Sequence, residues 1–456
     1  MRRVIAISDL HLGGESPPML GHPQVLANFF QALTAHPVRA GESLELVIHG
    51  DFVDFLAERP WKAWTVDEDE AIKKLDHILN SVSSVSDALA RCLKRVDRFT
   101  LLLGNHDVEL ALPRVRDALL RRLHIDSHRC QFIYNNEAYR IGRLLIEHGN
   151  RYDSWNRVDH DGLRQTLSAL SRGETPEADW MATCPGSMLV VSAMNPVKNK
   201  LHFLDLLKPE DKLLALILRY VEPSLSKLFP YLLRYERTSI ERFVRRVMPR
   251  KAESKFIAAE GWSPTVNLPD DVARSERESL RKFGDESKKL SIDVAVPMLN
   301  YDENDLTLPR ALTLNQLKEL QKKLRGKMRD DKTLDLADPG VPGTTVRECY
   351  DAAQKIIARR SADIVIMGHT HLRRDIRIES GRYLNTGTWA DLIYLDTAAL
   401  EETEHGLAIL NEWWMKLLAN DSSLRICDPT FADIRLSDDG CIVDDQRPLL
   451  RRFEGK

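Results

Sequence analysis

Aspartate, histidine and asparagine gather in five short clusters along the chain. They read Asp9-Leu10-His11, Gly50-Asp51-Phe52-Val53-Asp54, Gly104-Asn105-His106-Asp107, His148-Gly149-Asn150 and Gly368-His369-Thr370-His371. Their donors are carboxylate and amide oxygens and imidazole nitrogens, without thiolate. That mixture suits divalent ions such as Mn²⁺, Fe²⁺ or Zn²⁺. Glycine beside the donors lets backbone and substrate approach closely. Two such ions about 3.5–4 Å apart would serve phosphoester hydrolysis, neutralising phosphate oxygens and deprotonating a shared water at neutral pH. An imidazole near the leaving oxygen adds general-acid help of about 10²–10⁴-fold.

Each cluster follows, or ends, a run that reads as a strand: Arg3–Ser8, Leu44–His49, Phe99–Leu103, Leu144–Glu147 and Asp363–Met367. Gln24–Ala35 has helical spacing. Asp67–Arg98 reads as one long helix, acidic at its start and basic at Lys94, Arg95 and Arg98, the order a helix dipole favours. Strands separated by helices predict a layered α/β sheet architecture, and in such sheets sites gather at the carboxyl ends of strands. From 154 to 360 the pattern is mainly helical, clearest over Asp211–Val221, Leu225–Met248, Ser275–Leu290 and Thr313–Arg329, with breaks at Gly261–Asp271 and Asp335–Gly343. Strand-like runs return at Arg373–Ile378 and Arg382–Asn385. The reading is one α/β domain, 1–153 and 361–456, interrupted by a helical insertion at 154–360 that must fold as a cap or subdomain.

In order and content the clusters resemble the five motifs of the calcineurin-like metallophosphoesterases, D-x-H, G-D-x-x-D, G-N-H-D, H-G and G-H-x-H. Asn385-Thr386-Gly387-Thr388-Trp389 is similar to the strand and turn after their last motif. The resemblance implies a sandwich of sheets flanked by helices. It also implies that Asp9, His11 and His371 bind one metal, that Asn105, His148 and His369 bind a second, and that Asp51 bridges both. His106 would face the scissile phosphate as proton donor, with Asp107 orienting its ring and Asp54 supporting the Asp51 turn. The implied reaction is hydrolysis of a phosphomonoester, phosphodiester or pyrophosphate bond by a metal-bridging hydroxide, with manganese the first choice of metal and iron or zinc the others. A helical cap between the fourth and fifth motifs is a partial resemblance to the UDP-diacylglucosamine pyrophosphohydrolases. Two other readings are a DNA-repair-type nuclease and a catalytically silent scaffold that binds partners.

Composition narrows the classes. With 65 Lys+Arg against 68 Asp+Glu the net charge is −3, which argues against bulk-charge coating of nucleic acid and favours a small phosphorylated substrate. The cysteines, Cys92, Cys130, Cys184, Cys349, Cys427 and Cys441, are too dispersed for a knuckle or redox pair. No signal-peptide core or membrane span is read, so the expectation is a soluble, cytoplasmic protein. Arg151 is a candidate for a substrate phosphate, or for a salt bridge to Asp153. In the insertion, Tyr231–Lys255 is basic. The apolar series Phe203, Leu204, Leu206, Leu207, Leu213, Leu214, Leu216 and Ile217 reads as core, or alternatively as an acyl-chain groove or membrane-surface face.

Overall fold

The computed structural model describes residues 1–14, 16–35, 41–58, 60–176, 311–328, 334–443 and 447–455, with residue 332 and parts of 184–221. Along the chain, β1 (Arg2–Ile7) leads to α1 (Pro23–Ala35), β2 (Ser43–His49), α2 (Glu68–Ser81), α3 (Ser83–Leu93), β3 (Arg98–Leu102), α4 (Pro113–Arg122) and β4 (Cys130–Ile133). Next come β5 (Tyr139–Ile141), β6 (Leu144–Ile146), α5 (His160–Ser171), β7 (Leu207–Lys208), α6 (Leu314–Met328) and α7 (Thr345–Ala358). The chain closes with β8 (Ile364–Met367), β9 (Arg374–Ile378), β10 (Gly381–Asn385), β11 (Ile393–Tyr394), α8 (Glu404–Leu418), β12 (Thr430–Leu436) and β13 (Leu450–Arg452).

Two sheets form. One runs β13-β12-β1-β2-β3-β4, the other β5-β6-β8-β10-β9. β1 to β4 are parallel, with Ile5 opposite Leu46, Leu46 opposite Phe99 and Phe99 opposite Cys130. Side chains alternate across a strand. Val4 and Ala6 therefore turn toward the second sheet, meeting Ile146, Ile364 and Ile366, while Ile5 and Ile7 turn outward beneath the helices with Leu26, Phe30, Leu75 and Leu89. Strands buried on both faces need unbroken apolar runs, which is why these strands were legible as such.

On the outer face of the second sheet, α7 packs Cys349, Ala353 and Ile357 against Val365, Met367 and Tyr383. The boundary expected at 360 thus falls after a helix that lies on the sandwich. A further core joins 194–221 and α6 to α8: Phe203, Leu206, Leu207, Leu213, Leu216 and Ile217 are buried with Leu320, Leu324, Trp413 and Trp414. Here β7 pairs with β11 in parallel.

Some expectations shift. The long helix over Asp67–Arg98 is two helices, broken at Val82 (φ −120°, ψ 44°). The Ser86 hydroxyl donates to the Leu79 and Ser83 carbonyls there, and such side-chain bonds compete with the helical ladder. Asp67 does cap α2, accepting from the Asp69 and Glu70 N–H groups. Of Asp211–Val221, residues 213, 216, 217, 220 and 221 are helical, and Thr313–Arg329 matches α6. Leu225–Met248, Tyr231–Lys255, Gly261–Asp271 and Ser275–Leu290 lie outside the described residues.

Candidate metal centre

The five clusters stand where β1, β2, β3, β6 and β8 end. Their backbones are laced together: Asp9 N–H donates to the Gly50 carbonyl at 3.1 Å, Leu10 N–H to the Asp51 carbonyl at 2.9 Å and Gly368 N–H to the His148 carbonyl at 2.8 Å. Asp9, His11, Asp51, His369 and His371 all adopt left-handed backbone, with φ between 45° and 68°. Such strain costs of the order of 1 kcal/mol or more per residue and persists only where the surroundings enforce it. Two glycines are obligatory. A Cβ on Gly104 would stand 2.0 Å from Asp51 Oδ1, and one on Gly368 would stand 2.4 Å from Asp9 Oδ2.

The side chains converge into two overlapping groups. Asp9, His11, Asp51 and His371 place ligand atoms within 4.8 Å of one another, as do Asp51, His148 and His369. His371 Nε2 is 3.3 Å from Asp9 Oδ1, His148 Nε2 is 3.2 Å from Asp51 Oδ2, and the Nε2 atoms of His11 and His371 are 3.0 Å apart. Asn105 Oδ1 is buried without a hydrogen-bond partner. An orphaned acceptor beside clustered carboxylates and imidazoles is costly unless a cation satisfies it, so the donor set fits a pair of divalent ions.

Outer contacts select the nitrogens. His148 Nδ1 is 2.9 Å from the His49 carbonyl, which fixes the proton there and leaves Nε2 toward Asp51. His369 Nε2 meets Asp153 Oδ2 at 3.0 Å, leaving Nδ1 as its donor atom. Asp153 is itself held by the Trp155 N–H and the Asn156 amide. Behind Asp9, the Ser8 hydroxyl donates to Oδ2 and meets Thr386 Oγ1 at 2.8 Å, which in turn contacts His49 Nε2 at 3.2 Å.

Electrostatics sort the histidines. Burial opposes the charge on Asp9 and Asp51, but the imidazoles together outweigh it, His148 with His371 at Asp9 and His148 with His106 and His11 at Asp51, and hold both carboxyls well below the usual range. Burial pushes His11 down to about 3 and also lowers His371. Burial likewise opposes the imidazolium of His148, yet Asp51 prevails and raises it to about 9. His106 rises to about 9 against its burial because Asp51 and Asp54 face it.

One expectation is corrected. Asp107 does not orient the His106 ring: its oxygens accept from Phe52 N–H and Gly104 N–H, each at 2.7 Å, and tie the third cluster to the second. Burial, with repulsion from Asp51, lifts its carboxyl to about 7. The His106 ring is met by Asp54, with Oδ1 3.1 Å from Nδ1. Asp54 also accepts from Leu56 N–H, because the turn after Asp51 brings it back beneath the ring. Arg151 approaches Glu147 at 3.5 Å, while Asp153 is engaged by His369. Asp153 was missed as a support. Only its nearness to a motif residue, four after Gly149, could have signalled it.

The family model described as calcineurin-like phosphoesterase matches residues 2–205. Over these residues the chain is similar to that family. The match contains the first four motifs, and β8 carries the fifth into the same centre, so the resemblance read from the motifs holds. No curated protein matches the chain. Among solved structures, a phosphopantetheinyl hydrolase from Mycobacterium tuberculosis is similar at 12% identity, over 85% of this chain and 90% of that chain, with a TM-score of 0.25. Among the described residues no helix is long and apolar enough to cross a membrane.

Proposed function

We propose that the protein hydrolyses a phosphoester bond of a small phosphorylated molecule. One divalent cation would be held by Asp9, His11, Asp51 and His371, and a second by Asp51, Asn105, His148 and His369. The observation that carries this reading is that one buried carboxylate, Asp51, belongs to both donor groups. When bound, such a pair of ions neutralises phosphate oxygens and acidifies water. Manganese suits the oxygen and imidazole donors, with iron or zinc as alternatives.

The chain's own part follows from position and charge. His106 keeps 15% side-chain exposure beside the buried His11 ring, 4.7 Å away between centroids, so its free edge can meet a phosphate. Raised to about 9, it is cationic at neutral pH and can donate a proton or hydrogen bond to the leaving oxygen. Asp54 fixes the ring through Nδ1 and leaves Nε2 for that task. The first part of the insertion lies over these loops: Asn195 Nδ2 donates to the Leu56 carbonyl at 2.8 Å and the Ser187 hydroxyl to the Asn105 carbonyl at 3.5 Å. That supports a role for it in choosing substrate. All six cysteines are unpaired, which supports a reducing, intracellular setting.

The test is elemental analysis of the purified protein together with assays on p-nitrophenyl phosphate and bis(p-nitrophenyl) phosphate. Two equivalents of divalent metal and hydrolysis with Mn²⁺ are expected. Absence of hydrolysis with Mn²⁺, Fe²⁺ and Zn²⁺ alike would overturn the reading in favour of a silent scaffold.

A further inference from the structure

Beside the centre, the turn after Gly149 carries Arg151 to the rim of a cavity of about 420 Å³. Asn136, Tyr152, Arg157, His160 and Arg164 line it too. The cavity runs into a smaller pocket that shares Asn136, Asn150, Arg151 and His160 with it and reaches Glu147, His148 and Gly149. Arg151 is three residues beyond His148, in the 3₁₀ turn Asn150–Tyr152 that follows Gly149.

Arg151, Arg157 and Arg164 outnumber the two carboxylates of the cavity lining, Asp159 and Asp161, so its net charge is positive. Asp159 is engaged as the cap of α5, accepting from Asp161 N–H at 3.1 Å and Gly162 N–H at 3.0 Å, and Asp161 pairs with Arg164. Glu147 accepts from the Tyr152 hydroxyl at 2.7 Å and meets Arg151 only at 3.5 Å. Arg157 donates from Nε to the Arg151 carbonyl at 3.0 Å, which aligns the two residues, and among the described residues no carboxylate pairs with it. His160 Nδ1 is buried without a hydrogen-bond partner. The positive end of α5 adds to this field. Planar guanidinium groups match phosphate geometry.

We propose that this cavity is an anion subsite, in which Arg151 and Arg157 hold a second phosphate of the same molecule whose phosphoester is cleaved at the metal centre. The proposal rests on the hydrolase reading and narrows it to substrates carrying two phosphate groups.

Two measurements decide it. Protein stripped of metal and desalted is titrated calorimetrically with pyrophosphate. One site is expected, weakened at least tenfold in Arg151→Gln/Arg157→Gln, whose melting temperature should match the parent. Identical binding in parent and variant, or no binding in the parent, overturns the subsite. With Mn²⁺ restored, the double variant should keep the parent's KM and kcat for p-nitrophenyl phosphate, which has a single phosphate. A loss there would place the arginines at the cleavage site itself and overturn the proposal. Failure of all hydrolysis would fell the hydrolase reading, and with it the link to a cleaved substrate, while the titration still decides whether the cavity binds anions.

Discussion

At the centre, residues of the same type are made to do opposite work by what faces them. His11, pressed by burial down to about 3, is neutral at any physiological pH and ready to ligate. His106, facing Asp51 and Asp54, stays charged. His106→Ala should therefore lower kcat by about 10²–10³ and leave metal content unchanged by elemental analysis. Loss of metal in step with activity would move His106 into the ligand set. Asp153 should behave in the opposite way. Its carboxylate holds Nε2 of His369, and outer-shell partners of this kind are worth about 10–100-fold in metal affinity. After dialysis, Asp153→Ala should retain close to one metal where the parent retains two. Full retention of both would show that His369 needs no such support.

Elements matter here for where they stop. Each strand ends two or three residues before its first donor, and the left-handed backbone at Asp9, Asp51 and His369 turns the side chains back across the strand ends. Space between these ends is exhausted at Gly104. Gly104→Ala would drive a methyl onto Asp51 Oδ1 and, at 2.5 Å, onto the Asp51 backbone nitrogen. Metal binding should fall by at least tenfold and the melting temperature by several degrees, read by calorimetry and scanning fluorimetry; parent-like values would mean the loop yields. The strands that hold the site were legible because two-sided burial demands continuous apolar runs. β12 was not, although it lies against β1, because Asp433 and Arg435 interrupt its pattern. Their charges are offset by Arg3 and Glu42, partners far away in sequence. The Lys74–Glu109 pair, buried under the Phe55 carbonyl and joining α2 to the third cluster, was equally silent for the same reason. The donors themselves were readable because motif order preserves them. The contacts that orient them were not, since Asp54 and Asp107 exchange roles through a turn geometry that spacing does not encode.

On the scale of the whole molecule, the centre closes contacts between segments as distant as Asp9 and His369, so filling it should stabilise the entire sandwich. A ligand that binds only the folded state adds RT ln(1 + [L]/Kd) to stability. The pH dependence of that gain has a definite sign. In the metal-free protein His148 titrates at about 9 instead of 6.5. Its contribution to metal-free stability is thus complete below pH 6.5 and is lost as pH rises through 9. Ligation requires the neutral ring, so metal must expel this proton at low pH and need not at high pH. The metal-free melting temperature should drift down between pH 6.5 and 8.5 relative to the Mn²⁺-loaded form, and the interval between the two should widen over that range. Proton release on Mn²⁺ binding, measured by titration in buffers of different ionisation enthalpy, should shrink across the same window. An interval that is constant or narrows with pH would mean that His148 does not give up a proton to a metal, and Asp51 would then be a simple ion-pair partner.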